Sequence, residues 1–238
     1  MDLTEKTQHG NRHPWEISRA HCIQNIIKKY LLNSVADIGA GDRFFTLKLR
    51  SFIPGPVYAI DTGYSAKTES VNDILCLNDI AALPELNDKP GLVLMDVLEH
   101  IEHDTIFMKD ALEKIPSGSI IFITVLAFQF LFSEHDKFMK HYRRYSRKQL
   151  LALISSQNLQ WDKCHYFYFS LFLARLIQRF MRKVGNGTDV GSWRFSENNL
   201  LTKTIYGILN MDFYICQFLA TMRIYLPGLS LLAVCRKQ

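Results

Sequence analysis

A short apolar run that ends in a glycine-rich turn constrains this chain more than any other feature. Residues 34–38 (SVADI) predict a buried strand, and Phe44 to Arg50 predicts a helix directly after the turn. Gly39 and Gly41 let a ligand approach the backbone closely, and the start of the helix offers free N–H groups. The sequence therefore predicts a strand–turn–helix unit with a ligand site at its turn.

Strands and helices alternate along most of the chain. Near-continuous apolar strands are typical of a parallel sheet that is covered on both faces, so we predict a doubly wound α/β fold. Residues 170–227 hold two further apolar helical patterns and a glycine-rich loop, and are predicted to form an insertion over the ligand-binding end of the sheet. The predicted strands are 34–38, 56–60, 73–77, 92–95, 120–126, 161–169 and 229–235, and the other predicted helices are 14–32, 44–50, 99–114 and 147–157.

Composition narrows the class of protein. The length of 238 residues suits a single domain, and the net charge of +5 is too modest to predict a nucleic-acid partner. Five scattered cysteines without a CxxC pair argue against a disulfide framework and against a structural zinc site. The polar N-terminus is not a secretory signal, so the expected compartment is the cytoplasm, with contact at the membrane periphery left open.

The glycine turn alone fits two kinds of nucleotide site. A nicotinamide-dinucleotide fingerprint needs a third glycine, and Phe44 stands at that position. Acidic residues follow the next strands instead. Asp61 ends the second predicted strand, where a carboxylate can accept hydrogen bonds from both hydroxyls of a ribose, and Asp79 with Ile80 follows the third, where they can contact an adenine. Asp96 follows the fourth strand.

This series of motifs resembles the class I S-adenosylmethionine-dependent methyltransferases. The similarity is greatest to the branch of quinone-biosynthesis O-methyltransferases and polysaccharide-cluster methyltransferases, and it covers about residues 12–165 and the final PGLSLLAVCRK. The motifs that carry it are DIGAGD at 37–42, AID at 59–61, NDI at 78–80, DVLEHI at 96–101 and PSGSIIFITV at 116–125.

The resemblance implies a Rossmann-like, seven-stranded, mostly parallel sheet with an antiparallel last strand, and S-adenosyl-L-methionine as the cofactor. It divides the single domain into an N-terminal lid helix (1–33), a cofactor-binding core (34–169), a helical insertion (170–227) and a last strand (228–238). The glycines are then expected under the methionine portion, with Asp61 at the ribose. The full set of cofactor-binding residues that it implies is Asp37, Gly39, Ala40, Gly41, Asp61, Asp79, Ile80, Asp96 and Arg19.

The N-terminal segment RHPWE, with Arg19, also resembles this branch, and two interpretations stay open. It forms a lid over the cofactor, with Arg19 or His13 near the methionine carboxylate. Alternatively, it is a capped helix start in which Pro14 occupies the first turn and Trp15 packs in the core.

The acceptor side is expected after the fifth strand, because ligands of such sheets bind beyond the carboxyl ends of the strands. His135 is the candidate general base, oriented by Asp136 or Glu134. A capped loop and a solvated basic surface are the competing interpretation. The candidate acceptor-binding residues are His141, Arg143, Arg144 and Tyr145, whose arginines suit a phosphate or carboxylate.

Two further features remain ambiguous in the sequence. The cluster Glu99 to Asp104 lacks the HExxH arrangement, so no metal is expected. The aromatic segment 166–181 fits a core-facing amphipathic helix, and it also fits contact of the region 166–226 with a membrane surface.

The function that these patterns favour is methyl transfer, at oxygen, to a small-molecule, glycan or lipid-linked acceptor. A nucleic-acid methyltransferase is disfavoured, because Asp96-Val97-Leu98-Glu99 replaces the N/D-P-P-Y type of turn used for amino groups of bases. A nicotinamide-dependent oxidoreductase and a non-catalytic S-adenosylmethionine-binding protein also stay open. The sequence does not define the oligomeric state.

Overall fold

An eight-stranded mixed sheet forms the framework of the computed structural model, which describes residues 12–65, 68–86, 90–184 and 199–238. The strand order is β3-β4-β2-β1-β5-β6-β8-β7. The strands are β1 Ser34–Ile38, β2 Val57–Ile60, β3 Thr68–Val71, β4 Ile74–Leu77, β5 Pro90–Met95, β6 Ile120–Leu126, β7 Leu159–Phe167 and β8 Ser230–Lys237.

The seven predicted strands all form, and the predicted fold class is confirmed. β1, β2, β4, β5 and β6 pair in parallel, whereas the last strand, β8, runs antiparallel to both of its neighbours, β6 and β7. The sheet has one strand more than predicted. β3 pairs antiparallel with β4 through Asn72 and Asp73, which both have positive φ (52° and 58°), as a tight hairpin turn requires.

Helices cover both faces of the sheet. On one face, α1 (Pro14–Ile27), α2 (Phe44–Arg50) and α7 (Leu200–Thr221) pack on alternate strand residues such as Val35. On the other face, α3 (Asp104–Glu113) and α5 (Arg147–Ser156) pack on residues such as Ala36. The remaining helices are α4 (Glu134–Phe138) and α6 (Phe169–Val184), with 3-10 turns at Lys28–Tyr30, Ile80–Ala82, Leu98–His100 and Gln129–Leu131.

Two helix boundaries differ from the prediction. The N-terminal helix ends at Ile27 rather than at residue 32, because a 3-10 turn follows and Leu31 adopts a left-handed conformation (φ 49°). The helix predicted from residue 99 begins only at Asp104, since Leu98–His100 forms a separate 3-10 turn. At both boundaries a 3-10 turn adjoins the helix, and apolar spacing does not separate the two.

The region 170–227 contains the two predicted helices, α6 and α7, but they do not both lie over the end of the sheet. α6 begins at the carboxyl end of β7. α7 instead packs across a sheet face, against α1 and β7. The glycine-rich loop was predicted over 185–199; residues 185–198 lie outside the described residues, and Asn199 caps the start of α7. No helix in the part of the chain that the structure describes has both the length and the apolar character to cross a bilayer.

Candidate active site

The glycine turn lies where the strand order reverses, because β1 has β2 on one side and β5 on the other. Open α/β sheets bind ligands at this position. Gly39 and Gly41 both have positive φ (71° and 52°), and Arg43 follows with φ 67°. A Cβ atom on Gly39 would lie 2.5 Å from Cγ2 of Val97, so the turn has no room for a side chain there. The expected tight bend is therefore present, and the loop after β5 packs on it.

Asp61 lies directly against this bend. Its Oδ2 accepts a hydrogen bond of 2.8 Å from the Gly41 amide, and its Oδ1 accepts one of 2.8 Å from the Gly63 amide. Each carboxylate oxygen has a second lone pair, and the residue is only half-buried, so it can accept two further hydrogen bonds from a ligand. The geometry suits a pair of adjacent hydroxyl groups.

Asp37 is the buried support of the bend. Only 2% of its surface is exposed, and its Oδ2 accepts a 2.6 Å hydrogen bond from the Thr46 hydroxyl in α2. Burial raises the pKa of Asp37 to about 7, although the hydrogen bond from Thr46 acts in the opposite direction. The side chain thus ties β1 to the helix that follows the turn.

Asp79 and Ile80 follow β4, the neighbour of β2. Asp79 is exposed and caps the 3-10 turn, since its Oδ1 accepts a 2.9 Å hydrogen bond from the Ala81 amide. Ile80 is partly buried against the core. The Asp61 amide donates to the Leu77 carbonyl at 3.0 Å, so the ends of the two strands are adjacent. The residues predicted to contact the adenine and the residue predicted to contact the ribose therefore lie together at the carboxyl ends of adjacent strands.

Asp96 lies on the other side of the switch point, directly after β5. It has a positive φ of 55°, and its Oδ1 accepts a 2.8 Å hydrogen bond from the Thr124 hydroxyl of β6. Its Oδ2 forms an ion pair with Arg19, which is 6% exposed and lies 4.5 Å over the Trp15 ring. The N-terminal helix thus extends an arginine across the carboxyl end of β5.

Arg12 makes the equivalent contact with the bend itself. It pairs with Asp42 and, at 3.2 Å, with Glu16, and its guanidinium lies 3.9 Å over the Phe44 ring. His13 caps the start of α1 by accepting from the Trp15 amide at 3.3 Å. Elements of both interpretations of the N-terminal segment therefore coexist: a capped helix start and two arginines placed at the crevice.

The crevice beside the bend is narrow in this arrangement. Its cavity has a volume of about 30 Å³ and is bounded on one side by Arg12 and Arg19. That volume corresponds to about one water molecule, whereas ligand pockets usually exceed ~300 Å³. Arg12 and Arg19 therefore restrict this part of the crevice, whereas Asp61 and Asp79 do not belong to its lining. The other lining residues include Asp37, Gly39, Ala40, Asp42 and Met95.

On the acceptor side, Asp136 is buried and fully engaged. It accepts from Nε of Arg144 at 2.8 Å, from Nδ1 of His141 at 3.0 Å and from both the amide and the hydroxyl of Ser133. Burial alone would raise the pKa of Asp136, but the hydrogen bonds from His141 and Arg144 and the charge of Arg144 hold it well below its usual range. His135 is exposed on the neighbouring turn of α4. Asp136 therefore orients His141.

The other predicted acceptor residues contact Asp104 at the start of α3. Arg143 pairs with Oδ2 of Asp104 at 3.0 Å, and the Tyr145 hydroxyl donates to the same oxygen at 2.7 Å. Burial, followed by the hydrogen bond to Asp104, raises the pKa of Tyr145. These residues line a groove of about 320 Å³ beside α5, and this groove shares no lining residue with the crevice at the glycine bend.

Glu99 is a buried acid that the sequence interpretation did not place in the site. It is 0% exposed and bridges the ends of β5 and β6, since its Oε1 accepts from the Leu126 amide at 3.1 Å. Burial raises the pKa of Glu99 to about 7. The next residue, His100, packs edge-on against the His141 ring at 4.4 Å between centroids. The sequence signal that could have placed Glu99 and His100 in the site is their position shortly after Asp96 in the DVLEHI motif.

Within the described residues, no group of three or more histidine, cysteine or acidic side chains is arranged to hold a metal ion.

Comparisons with known proteins bear on the fold. No family model matches the chain, and no curated protein matches it. Among solved structures, a SAM-dependent methyltransferase from Archaeoglobus fulgidus matches with a TM-score of 0.52 and 14% identity, over 92% of this chain and 94% of that one. The plantazolicin methyltransferase BpumL in complex with SAH matches with a TM-score of 0.54 and 13% identity, over 94% and 85%.

The [4+2]-cyclase SpnF has a similar fold as well, with a TM-score of 0.52 and 11% identity over 90% of this chain and 80% of that one. At these identities the likeness shows the fold alone. The chain has the Rossmann-like fold of class I methyltransferases. A cyclase on the same fold means that the reaction must be argued from the site.

Proposed function

We propose that the chain is an S-adenosylmethionine-dependent methyltransferase that acts at oxygen on a small-molecule, glycan or lipid-linked acceptor. The observation that carries the proposal is the contact between Asp61 and the glycine bend, where Oδ2 accepts from the Gly41 amide at 2.8 Å. The glycine bend lets a ligand come close to the backbone, and Asp61 beside it has lone pairs that can accept further hydrogen bonds. Both lie at the switch point of the sheet, where such folds bind ligands.

The donor and acceptor chemistry of the crevice fits this cofactor. Ribose hydroxyls and an adenine amino group are donors, and the acids Asp61 and Asp79 follow the ends of adjacent strands. The cofactor also carries a carboxylate, and Arg19 is the residue proposed to bind it in exchange for its ion pair with Asp96. Asp37 supports the bend from inside through Thr46.

When bound, S-adenosylmethionine supplies a methyl group on a sulfonium, which is transferred by in-line displacement. The protein's task is then to align the acceptor and remove its proton. His135 is the base proposed from the sequence. His141 is the second candidate: a carboxylate only accepts, so Nδ1 of His141 donates to Asp136, and Nε2 is the ring nitrogen proposed to take the proton of the acceptor.

Calorimetric titration with S-adenosylhomocysteine tests the cofactor site. Asp61→Ala is expected to weaken binding about tenfold or more, because two hydrogen bonds to a charged acceptor are lost. Asp110→Ala, an exposed acid on α3, is the matched control and is expected to bind normally. A thermal shift with NADH and none with S-adenosylmethionine would contradict the proposal.

Transfer of a labelled methyl group into acceptor extracts tests catalysis. His135→Asn and His141→Asn are compared at equal cofactor occupancy. The variant that loses turnover identifies the general base. Tight cofactor binding without transfer to any extract would favour a non-catalytic binding protein, and transfer to RNA or DNA would favour a nucleic-acid methyltransferase.

A further inference from the structure

Each of the two helices of the insertion exposes a row of apolar side chains. On α6, the exposed residues Leu173, Ile177, Phe180 and Met181 follow helical spacing and form one stripe. α7 exposes a longer row that runs along most of the helix. We call these residues together the insertion face: Leu173, Ile177, Phe180 and Met181 of α6, and Leu201, Ile208, Met211, Ile215, Phe218 and Met222 on and just after α7. Exposed apolar side chains that recur in rows, rather than singly, mark interaction sites.

The inner sides of these helices are held by polar contacts. The buried Asp212 of α7 caps α6, accepting from the Phe169 amide at 2.9 Å and from the Ser170 amide at 2.7 Å. Asn210 of α7 accepts from the Ser18 hydroxyl of α1 at 2.9 Å. The two helices are therefore fixed to each other and to α1. The residues of the insertion face are exposed, on the sides of the helices that do not make these contacts.

Within the described residues of α6, α7 and the position just after α7, the exposed charges have one sign. Exposed cations flank the apolar residues: Arg175 and Arg179 on α6, Lys203 at the start of α7 and Arg223 just after its end. The only acid in the sequence of either helix is Asp212, and it is buried. An apolar stripe with arginines on the other sides of the helix is the pattern of a helix that lies in a membrane interface.

We propose that the insertion face docks on the surface of an anionic lipid bilayer. Apolar side chains enter the boundary between headgroups and acyl chains, and the arginines and lysine contact the lipid phosphates. A second copy of this chain is the poorer fit, because face-to-face association would bring like charges together. The inference extends the proposed function, since a lipid-linked acceptor is presented at such a surface.

Sedimentation with vesicles tests the docking independently of methyl transfer. The full chain is mixed with phosphatidylcholine vesicles that contain or lack phosphatidylglycerol. Binding is expected only to the anionic vesicles and is expected to weaken with salt. Ile177→Glu is expected to reduce it about tenfold or more, because an apolar side chain is replaced by an anion.

Ile106→Glu on α3 is the matched control, because Ile106 is 60% exposed and Ile177 is 59% exposed. Its vesicle binding is expected to equal that of the wild type. Arg179→Glu is expected to reduce binding about tenfold through charge alone. Urea unfolding of all three variants confirms that their folds are intact.

Three results would overturn the docking. One is absence of binding to anionic vesicles by a preparation that still binds S-adenosylhomocysteine, which leaves the proposed function standing. Another is equal loss of binding in Ile177→Glu and Ile106→Glu. The third is self-association in sedimentation velocity that Ile177→Glu abolishes, which would assign the face to a second copy of the chain.

Discussion

Replacement of Asp37 by asparagine is expected to stabilise the protein relative to the wild type, and the difference in unfolding free energy is expected to grow as the pH rises. Asp37 is 2% exposed, and burial raises its pKa from 3.8 to about 7 in the folded chain. As the pH increases above 3.8, the unfolded chain ionises first, so this carboxyl lowers stability progressively until the folded form also ionises near pH 7.

The size of the effect follows from the shift. One pKa unit corresponds to about 1.4 kcal/mol, so the full shift costs roughly 4 kcal/mol above pH 7. Part of that cost is already present at pH 5. Between pH 5 and pH 8 the wild type is expected to lose roughly 2–3 kcal/mol through this group. Asparagine does not titrate, and its amide oxygen can still accept from the Thr46 hydroxyl.

Urea unfolding at pH 5 and at pH 8 measures the effect. The quantity of interest is the difference in unfolding free energy between variant and wild type, because Glu99 titrates in both proteins and cancels. Thr46→Val is the companion variant. It removes the hydrogen bond that lowers the pKa of Asp37, so it should destabilise more at pH 8 than at pH 5. If Asp37→Asn and the wild type lose stability in parallel, the carboxyl does not titrate as argued.

Three other substitutions probe the bend, the acceptor loop and the insertion. Gly39→Ala is expected to cost ~1–3 kcal/mol by calorimetry through its positive φ and its clash with Val97, and Val97→Ala is expected to restore only the part due to the clash. Asp136→Ala is expected to cost ~3–5 kcal/mol in urea unfolding, because it leaves the buried Arg144 charge unpaired, and the double variant with Arg144→Ala should cost less than the sum. Asp212→Ala should lower stability by ~1–2 kcal/mol and accelerate hydrogen exchange at the first amides of α6.

The cofactor side was predictable because its signals are local. The strand 34–38, the glycines after it and Asp61 at the end of the next strand each follow from sequence spacing, and parallel strands bring such ends together. The hairpin that adds β3 also carried a local signal. Asn72 and Asp73 are the residue types that tolerate positive φ in a two-residue turn, but the strand before them has only four residues.

The acceptor side was not predictable to the same degree, because its contacts join residues from different loops. Adjacency in sequence suggested Asp136 or Glu134 as the partner of His135, and the capping box at Ser133 turns Asp136 inward, toward His141 and Arg144. No spacing rule encodes that choice. It depends on the path of the loop between β6 and α5, which is fixed by tertiary hydrogen bonds such as that from the Tyr142 amide to the Glu99 carbonyl at 2.7 Å.

The way in which the crevice opens follows from the contacts of α1. Arg12 and Arg19 both narrow the crevice, but the helix that carries Arg19 is tied to α7, since Ser18 and Cys22 donate to Asn210 at 2.9 Å and 3.2 Å. Displacing the helix would break these contacts and expose the apolar surface that α1 buries. Rotating an arginine side chain leaves the packing of α1 intact, but these ion pairs are largely buried, so each released group needs a new partner. We therefore expect a ligand to enter by drawing the guanidinium groups off the carboxylates while the helix stays in place. An anionic ligand group that replaces Asp96 as the partner of Arg19 would itself compensate the charge of Arg19 when this side chain moves.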